Sequence, residues 1–515
     1  MDGRGLCRAA GDLRMRRKRA VDLFGPEGTP RVAIVGAGFG GISAGVALRK
    51  AGIESFTIYD HAERVGGTWW YNQYPGAEVD VESYVYSFPF KRKDWTRTHA
   101  RQPELHAYLE ETVEEFGLLP HLRLKTGIVR AVWNEAEHLY RLTLSTGEEA
   151  TCHVLICATG FLNVPRIPDW PGLDTFHGPC FHTARWEHEH DLRGKTVAIV
   201  GTGSSASQIV PEIADEVGKL YVFQRDPGWV APKGDREYTP EERARLRNPI
   251  HHFIARARWF WNTEKRLWDA GTYRPGSPAN QMAEQVARDY IAREFADRPD
   301  LAEAVTPDYP FWGKRPVFSS TFYPALKRPN VELVPRAVES VTTKGVVDAD
   351  GVERPVDVLV LATGFEATNY LGEIEVVSRQ GRSLKEYWSG EPRAFLGITV
   401  PTFPNLFILY GPGTNGGEIA SNLRFQSAYA RRAIQRMVRQ GVTSIEVKRT
   451  WADMYHAWLQ SKMDDTAWAV SENYFANEAG KIVTQWPYSA IDYQVLIRLL
   501  GRASEIARRR GSAPA

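Results

Sequence analysis

The sequence predicts an α/β protein with two Rossmann-like dinucleotide-binding units, the second inserted in a split first unit and carrying a helical insertion. Three observations carry that prediction. A strand, glycine turn, helix and second strand run through 31–60, and the same plan returns at 195–226. An apolar strand entering a Thr-Gly turn also occurs twice, as "VLICATGF" (154–161) and "VLVLATGF" (358–365), which reads as two crossing points between the units. Finally, residues 236 to 310 have helical aromatic patterning, as in "HHFIARARWFWNTEKRLW", and few strand signals.

These markers divide the chain. At 515 residues it is too long for one core. The first unit is expected at 30–165 and 357–515, the second at 166–356, with a helical cap at about 236–310. Residues 1–29 contain "RMRRKRA" and no apolar run after it, so they read as a mobile arm and not a secretory signal. The closing "RRRGSAPA" reads as a frayed end.

Composition narrows the partners. A net charge of +2 gives no global field for nucleic acid or a membrane surface, and no window approaches the ~18 unbroken apolar residues of a membrane span. Small molecules are the expected partners, and oligomeric state is left open. Cys7, Cys152, Cys157 and Cys180 are too few and scattered for a disulfide framework or a zinc set, which fits a reducing cytoplasm. Cys152 and Cys157 form C-x4-C, but five residues along one strand lie ~16 Å apart on opposite faces, so no redox pair is expected. His188 and His190 have no third ligand at metal spacing and read as solvated surface; no metal site is predicted.

In the first unit Gly36, Gly38 and Gly41 fit G-x-G-x-x-G: a tight turn, close backbone approach to a pyrophosphate, and helix-strand packing. Asp60 closes the second strand, where a carboxylate can accept from a ribose hydroxyl. In the second unit Gly201, Gly203 and Ala206 take the glycine slots, with Thr202, Ser204, Ser205 and Gln208 beside them. Arg225 stands where the first unit has its acid, and a guanidinium there suits a 2'-phosphate. The expected pair is therefore an unphosphorylated adenosine cofactor first and NADP(H) second, with electrons passing between them.

The loop "VGGTWWYNQYPGAEVD", Val65 to Asp80, follows the first unit and mixes glycines with aromatics. A flat ligand is expected there, with Gly66 and Gly67 allowing close approach and Trp69 or Trp70 flanking a ring. This loop resembles the Baeyer-Villiger monooxygenase pattern [A/G]-G-x-W-x4-[F/Y]-P-[G/M]-x3-D through Gly66, Gly67, Trp69, Tyr74, Pro75, Gly76 and Asp80. "FHGPCFHTARWE" is similar to that family's fingerprint through Phe176, Gly178, His182 and Trp186, departing at Glu187. The resemblance spans about residues 30–495, and "NEAGKIVTQWP" looks most like the branch containing 4-hydroxyacetophenone monooxygenase.

The resemblance implies FAD and NADPH as cofactors, with a ketone and O2 as substrates and an ester or lactone as product, through a flavin C4a-peroxide. It implies FAD contacts at Gly67, Thr68, Trp69, Asp80 and Tyr86, and makes Arg315 of "GKRP" the catalytic arginine beside Lys314, which would help hold the 2'-phosphate. A permanently charged guanidinium can stabilise an anionic peroxide and the oxyanion formed on a carbonyl, and Asp80 can orient it. His182 is implied to organise the interdomain linker and not to transfer protons. Asp226 departs from the family's frequent Thr and would repel a 2'-phosphate, so a weakened NADPH preference is expected. Substrate contacts are expected from the aromatic 250s and from "GPGTNGGEIASN". Oxygenation of sulfur or nitrogen, and a non-catalytic NADP sensor, are the competing readings.

Overall fold

The computed structural model describes residues 20–269 and 271–511. Two five-stranded parallel sheets organise it. The first has the order Leu406–Ile408, Val154–Cys157, Val32–Val35, Phe56–Tyr59, Leu122–Arg123. The second has the order Val331–Val334, Lys219–Phe223, Thr196–Val200, Val358–Leu361, Cys180–His182. Strands buried on both faces explain the unbroken apolar runs "VAIV", "VLIC" and "VLVL", each with all four residues buried. Among the described residues no helix is long and apolar enough to cross a membrane.

The internal echo has a geometric basis. Val154 pairs in register with Val32 beside the first glycine turn, and Val358 pairs with Val197 beside the second. Each "ATGF" strand therefore occupies the same place in its own sheet. This corrects the boundary at 357, because Val358–Leu361 lies inside the second sheet and the chain returns to the first body only after it. Outgoing and returning segments run side by side at the crossing: Arg166 N donates to Gly364 O at 2.9 Å and Glu366 N to Val164 O at 2.9 Å.

The insertion consists of helices Pro240–Arg247, Pro249–Asp269, Pro278–Glu294 and Pro299–Ala304. Its first helix starts on a capping box between Thr239 and Glu242 with proline in the first turn, a local stop-start signal. Pro278–Glu294 gives Ala287, Tyr290 and Ile291 to the second core. Pro249–Asp269 instead docks on the first body: Arg256 donates to the carbonyls of Tyr84 and Ser87 and to Glu418 at 3.2 Å, while Glu264 accepts from Ala490 N at 3.1 Å and Ile491 N at 3.0 Å, capping Ala490–Leu500. The aromatics expected to line a pocket do not all turn inward. Phe253 is 71% and Trp261 60% exposed, because the inward face carries these polar anchors.

Three further expectations are adjusted. Residues 1–19 of the arm lie outside the described residues, but 20–24 is helical and Phe24 is buried edge-on against His153, so packed chain begins before residue 30. At the other end Arg508 closes the strand Glu505–Arg508 and pairs with Glu446 at 2.9 Å, so it is not frayed. Cys152 and Cys157 lie on different strands of different sheets, not along one strand. Both thiols are free and pushed by burial up to about 12.

Candidate active site

A groove of ≈ 570 Å³ begins at the first glycine turn and runs past Asp60 to Trp69, Tyr86 and Tyr410. Its floor can close only with glycine, since a Cβ on Gly41 would stand 1.8 Å from the Gly36 carbonyl oxygen. The aromatic loop folds back on this turn so tightly that a Cβ on Gly67 would fall 2.9 Å from Gly38 Cα. Trp69 is buried and donates from Nε1 to the Tyr86 hydroxyl at 3.3 Å, whereas Trp70 turns towards His106 and Arg64. Of the two tryptophans, Trp69 and not Trp70 lines the groove, with Thr68 beside it. Asp60 lies at the groove wall with its oxygens already accepting from Ala37 N at 2.7 Å and Ala62 N at 2.8 Å, leaving only remaining lone pairs for a ribose.

The loop's far end stitches the two bodies together. Gln208, expected as a dinucleotide contact, instead has its amide inside this seam: Tyr74 donates to Oε1 at 3.0 Å, and Nε2 donates to the Glu78 carbonyl at 3.1 Å. Gly76 abuts the same helix, where a Cβ would approach the Gln208 carbonyl oxygen to 2.6 Å. Glu78 pairs with Lys233, 1% exposed, at 2.7 Å. A buried pair of this kind gives little net stability but fixes register, because loss of either partner strands the other charge.

Asp80 emerges from this seam and meets Arg315, 235 positions away in sequence, with Nη2 donating to Oδ2 at 3.0 Å. The side chain of Asp80 is 14% accessible and that of Arg315 44%. Burial opposes its charge, but Asp80, Tyr474 and Tyr410 outweigh that cost, and its pKa moves further up. Four tyrosines feel this cation: Tyr86, Tyr273, Tyr410 and Tyr474. Burial pushes each phenol up, Tyr86 and Tyr273 to about 12, against the pull of Arg315, so all four stay neutral. Among these only Tyr86 was singled out in the sequence; the others sit in distant segments without a local pattern. Arg185, which lines the groove and stacks 4.0 Å over Tyr71, also escaped, although it lies within the quoted "FHTARWE".

At the second turn, a Cβ on Gly203 would meet nothing within 4 Å, and Ser204 and Ser205 open the helix Ser204–Ile213 directly after it. Thr202 lies between Gly201 and Gly203 in the same turn, while Ala206 is fully buried. Asp226 bridges the cations expected at a 2'-phosphate: Arg225 Nε at 3.0 Å and Lys314 Nζ at 3.2 Å. Burial raises its carboxyl, but both cations outweigh that effect and hold it below the usual range. The carboxylate thus competes for the cations as well as repelling a phosphate.

His182 accepts from Ala184 N through Nδ1 at 3.1 Å, which leaves Nε2 to donate to Gly364 O at 3.0 Å on the returning crossover. Burial pushes its pKa down to about 4, so the ring is a neutral clamp. A Cβ on Gly178 would lie 2.2 Å from the Asp357 carbonyl oxygen, Phe176 packs on the cluster of Ala198, Val200 and Leu361 in the second sheet, and Trp186 stacks edge-on with Phe181. The absence of a third metal ligand near His190 is corrected: Glu187, Glu189 and His190 have ligand atoms within 4.8 Å of one another. Glu187 already pairs with His190 at 2.8 Å.

A family model described as pyridine nucleotide-disulphide oxidoreductase matches residues 33–258. A "Baeyer-Villiger monooxygenase" of Pseudomonas aeruginosa is 37% identical over 475 residues, covering 91% of this chain and 89% of that one. Among solved structures, cyclohexanone monooxygenase from Rhodococcus sp. Phi1 bound to NADP+ superposes with a TM-score of 0.84 at 29% identity, covering 93% of this chain and 99% of that one. The OTEMO complex with FAD and NADP gives 0.84 at 26% identity, covering 93% and 99%.

Proposed function

The chain belongs to the Baeyer-Villiger monooxygenases, and from that premise we propose that it inserts one oxygen atom of O2 beside the carbonyl of a small-molecule ketone, giving an ester or lactone. One observation carries the reading: a cation and its orienting carboxylate, contributed by opposite bodies, meet at 3.0 Å beside Tyr86 and Tyr410, which line the aromatic end of the groove.

The residues fit the two cofactors. Gly36, Gly38 and Gly41 leave backbone open to a pyrophosphate, Asp60 stands at the ribose position, and Gly67, Thr68, Trp69, Asp80 and Tyr86 would hold a flat ring system. Gly201, Thr202, Gly203, Ser204, Ser205, Arg225 and Lys314 would hold NADPH, with Gln208 supporting from the seam. When bound, FAD supplies hydride acceptance from NADPH and activation of O2. Arg315 would keep its charge at any working pH and stabilise the oxyanion that develops on the substrate carbonyl. Asp80 limits the arginine's rotation, and neutral tyrosines surround the cation. The hydroxyl of Tyr410 itself donates to Asn415 at 2.7 Å, which ties the ring to the "GPGTNGG" segment.

We further assign the work to the cytoplasm, a reading supported by the free buried thiols, and a preference for NADPH supported by Arg225 and Lys314. The test is direct. The FAD-loaded protein is incubated with NADPH, O2 and a ketone panel, and products are identified by mass. Esters or lactones are expected; a chain that takes up no flavin, or that oxidises only thioethers and amines, overturns the reading.

A further inference from the structure

On the far side of the first body, the second half of helix Ile419–Gln440 and the end of helix Ala490–Leu500 enclose a groove of ≈ 520 Å³. Five arginines line it: Arg432, Arg436 and Arg439 from one helix, Arg498 and Arg502 from the other and its continuation. Glu505 is the carboxylate among the lining residues, and it is already occupied, by Arg436 at 2.6 Å and by the Tyr429 hydroxyl at 2.7 Å. Among the described residues no carboxylate oxygen lies within 4 Å of the guanidiniums of Arg432, Arg439, Arg498 or Arg502. Arg436 itself leaves Nε and Nη2 buried without a hydrogen-bond partner.

Ordinary surface chemistry does not account for this arrangement. A basic residue in the last helical turn complements the dipole, which explains Arg439. It does not explain Arg436 and Arg432, about one and two turns earlier, nor arginines converging from a second helix. Like charges across one concavity are destabilising: Arg432 is exposed, yet desolvation, with Arg431 and Arg498 adding to it against Tyr429 and Glu505, lowers its guanidinium's pKa. Buried Ala433 and Ile497 also line the groove.

We propose that this groove is a binding site for a multiply charged phosphate group, remote from the reaction cleft. Planar guanidiniums bind phosphate through paired N–H donors, and several around one concavity favour a di- or polyphosphate over a single carboxylate. The same helix lines the dinucleotide groove at its other end through Ile419 and Leu423. At 1.5 Å per residue, Leu423 and Arg436 stand about 20 Å apart along it, so the two sites are separate but share one rigid element.

The phosphate could belong to a soluble polyphosphorylated metabolite or to a lipid head group, and two arms separate them. In the first, the FAD-loaded protein saturated with NADP+ is titrated calorimetrically with inorganic pyrophosphate against sodium chloride of matched ionic strength. In the second, the protein is floated with phosphatidylcholine vesicles containing phosphatidic acid. One saturable site is expected in the first arm, weakened at least about tenfold in Arg432→Gln/Arg498→Gln with flavin content and unfolding temperature unchanged. Arg439→Gln/Arg502→Gln should weaken it similarly and serves if the first variant folds poorly. Vesicle capture that both variants lose, without pyrophosphate binding, assigns the same phosphate site to a head group. No saturation in either arm, or binding that neither variant alters, overturns the proposal.

Discussion

The two glycine turns have nearly the same sequence plan and the same crowding at their first glycine, where a Cβ would meet the carbonyl of Ala158 or Ala362. They differ over the second glycine and at the charged strand end. The first is walled in: its third glycine abuts its own first carbonyl, the aromatic loop presses on Gly38, and the carboxylate of Asp60 is held by two backbone amides. The second has open space over Gly203, and its charged end is a loose triad in which Arg225 is 67% exposed. A crowded, prearranged cradle suits a cofactor that stays; an open one with mobile cations suits a cofactor that must enter and leave at each turnover.

Breaking the first cradle should have the largest effect. Gly41→Val places a side chain onto a backbone oxygen that cannot yield, at a cost above about 3 kcal/mol. No flavin absorbance is expected after desalting. At the second turn Gly203→Ala, in the slot that Gly38 fills in the first, should spare flavin content and keep the unfolding temperature within about 2 °C, while raising KM for NADPH about tenfold. Equal consequences at both turns would erase the contrast.

A smaller effect is expected at the triad. Asp226→Thr frees Arg225 and Lys314 from their shared carboxylate, so the NADPH-to-NADH ratio of kcat/KM should rise by about three- to tenfold. An unchanged ratio would mean that Asp226 does not compete with the phosphate. The smallest concerns the clamp between the two bodies. His182 is neutral when folded, with its pKa lowered from 6.5 to about 4, so below pH 6.5 the unfolded chain takes up a proton that the folded chain refuses. Its contribution is complete above pH 6.5, falls as pH drops towards 4, and then levels. In denaturant titrations across that window, His182→Asn should flatten the stability slope by about one proton, or about 1.4 kcal/mol per pH unit. An unaltered slope would show that the ring is not held neutral.

Local patterns revealed the strands, the glycine turns and the motif residues, because each rests on spacing within some thirty residues. Asp80 and Arg315, and the expectation that one orients the other, came from the family resemblance and not from local spacing, and the two side chains do meet. What stayed hidden depends on long separations: Gln208 bridging to the loop at 74–78, Arg256 and Glu264 fastening one helix of the insertion to the first body, and tyrosines 273, 410 and 474 converging on one cation. The boundary at 357 falls one strand early, since Val358–Leu361 still pairs in the second sheet and the return crossing follows it at Gly364 and Glu366.

The most direct test of the oxygen-insertion account is how Arg315→Ala partitions NADPH between oxidation and product. With flavin content verified, NADPH oxidation should stay within about tenfold of the unaltered protein, while ester formed per NADPH consumed drops by about 10²- to 10³-fold. Ester coupling close to that of the unaltered protein would contradict the role given to the guanidinium and its carboxylate partner.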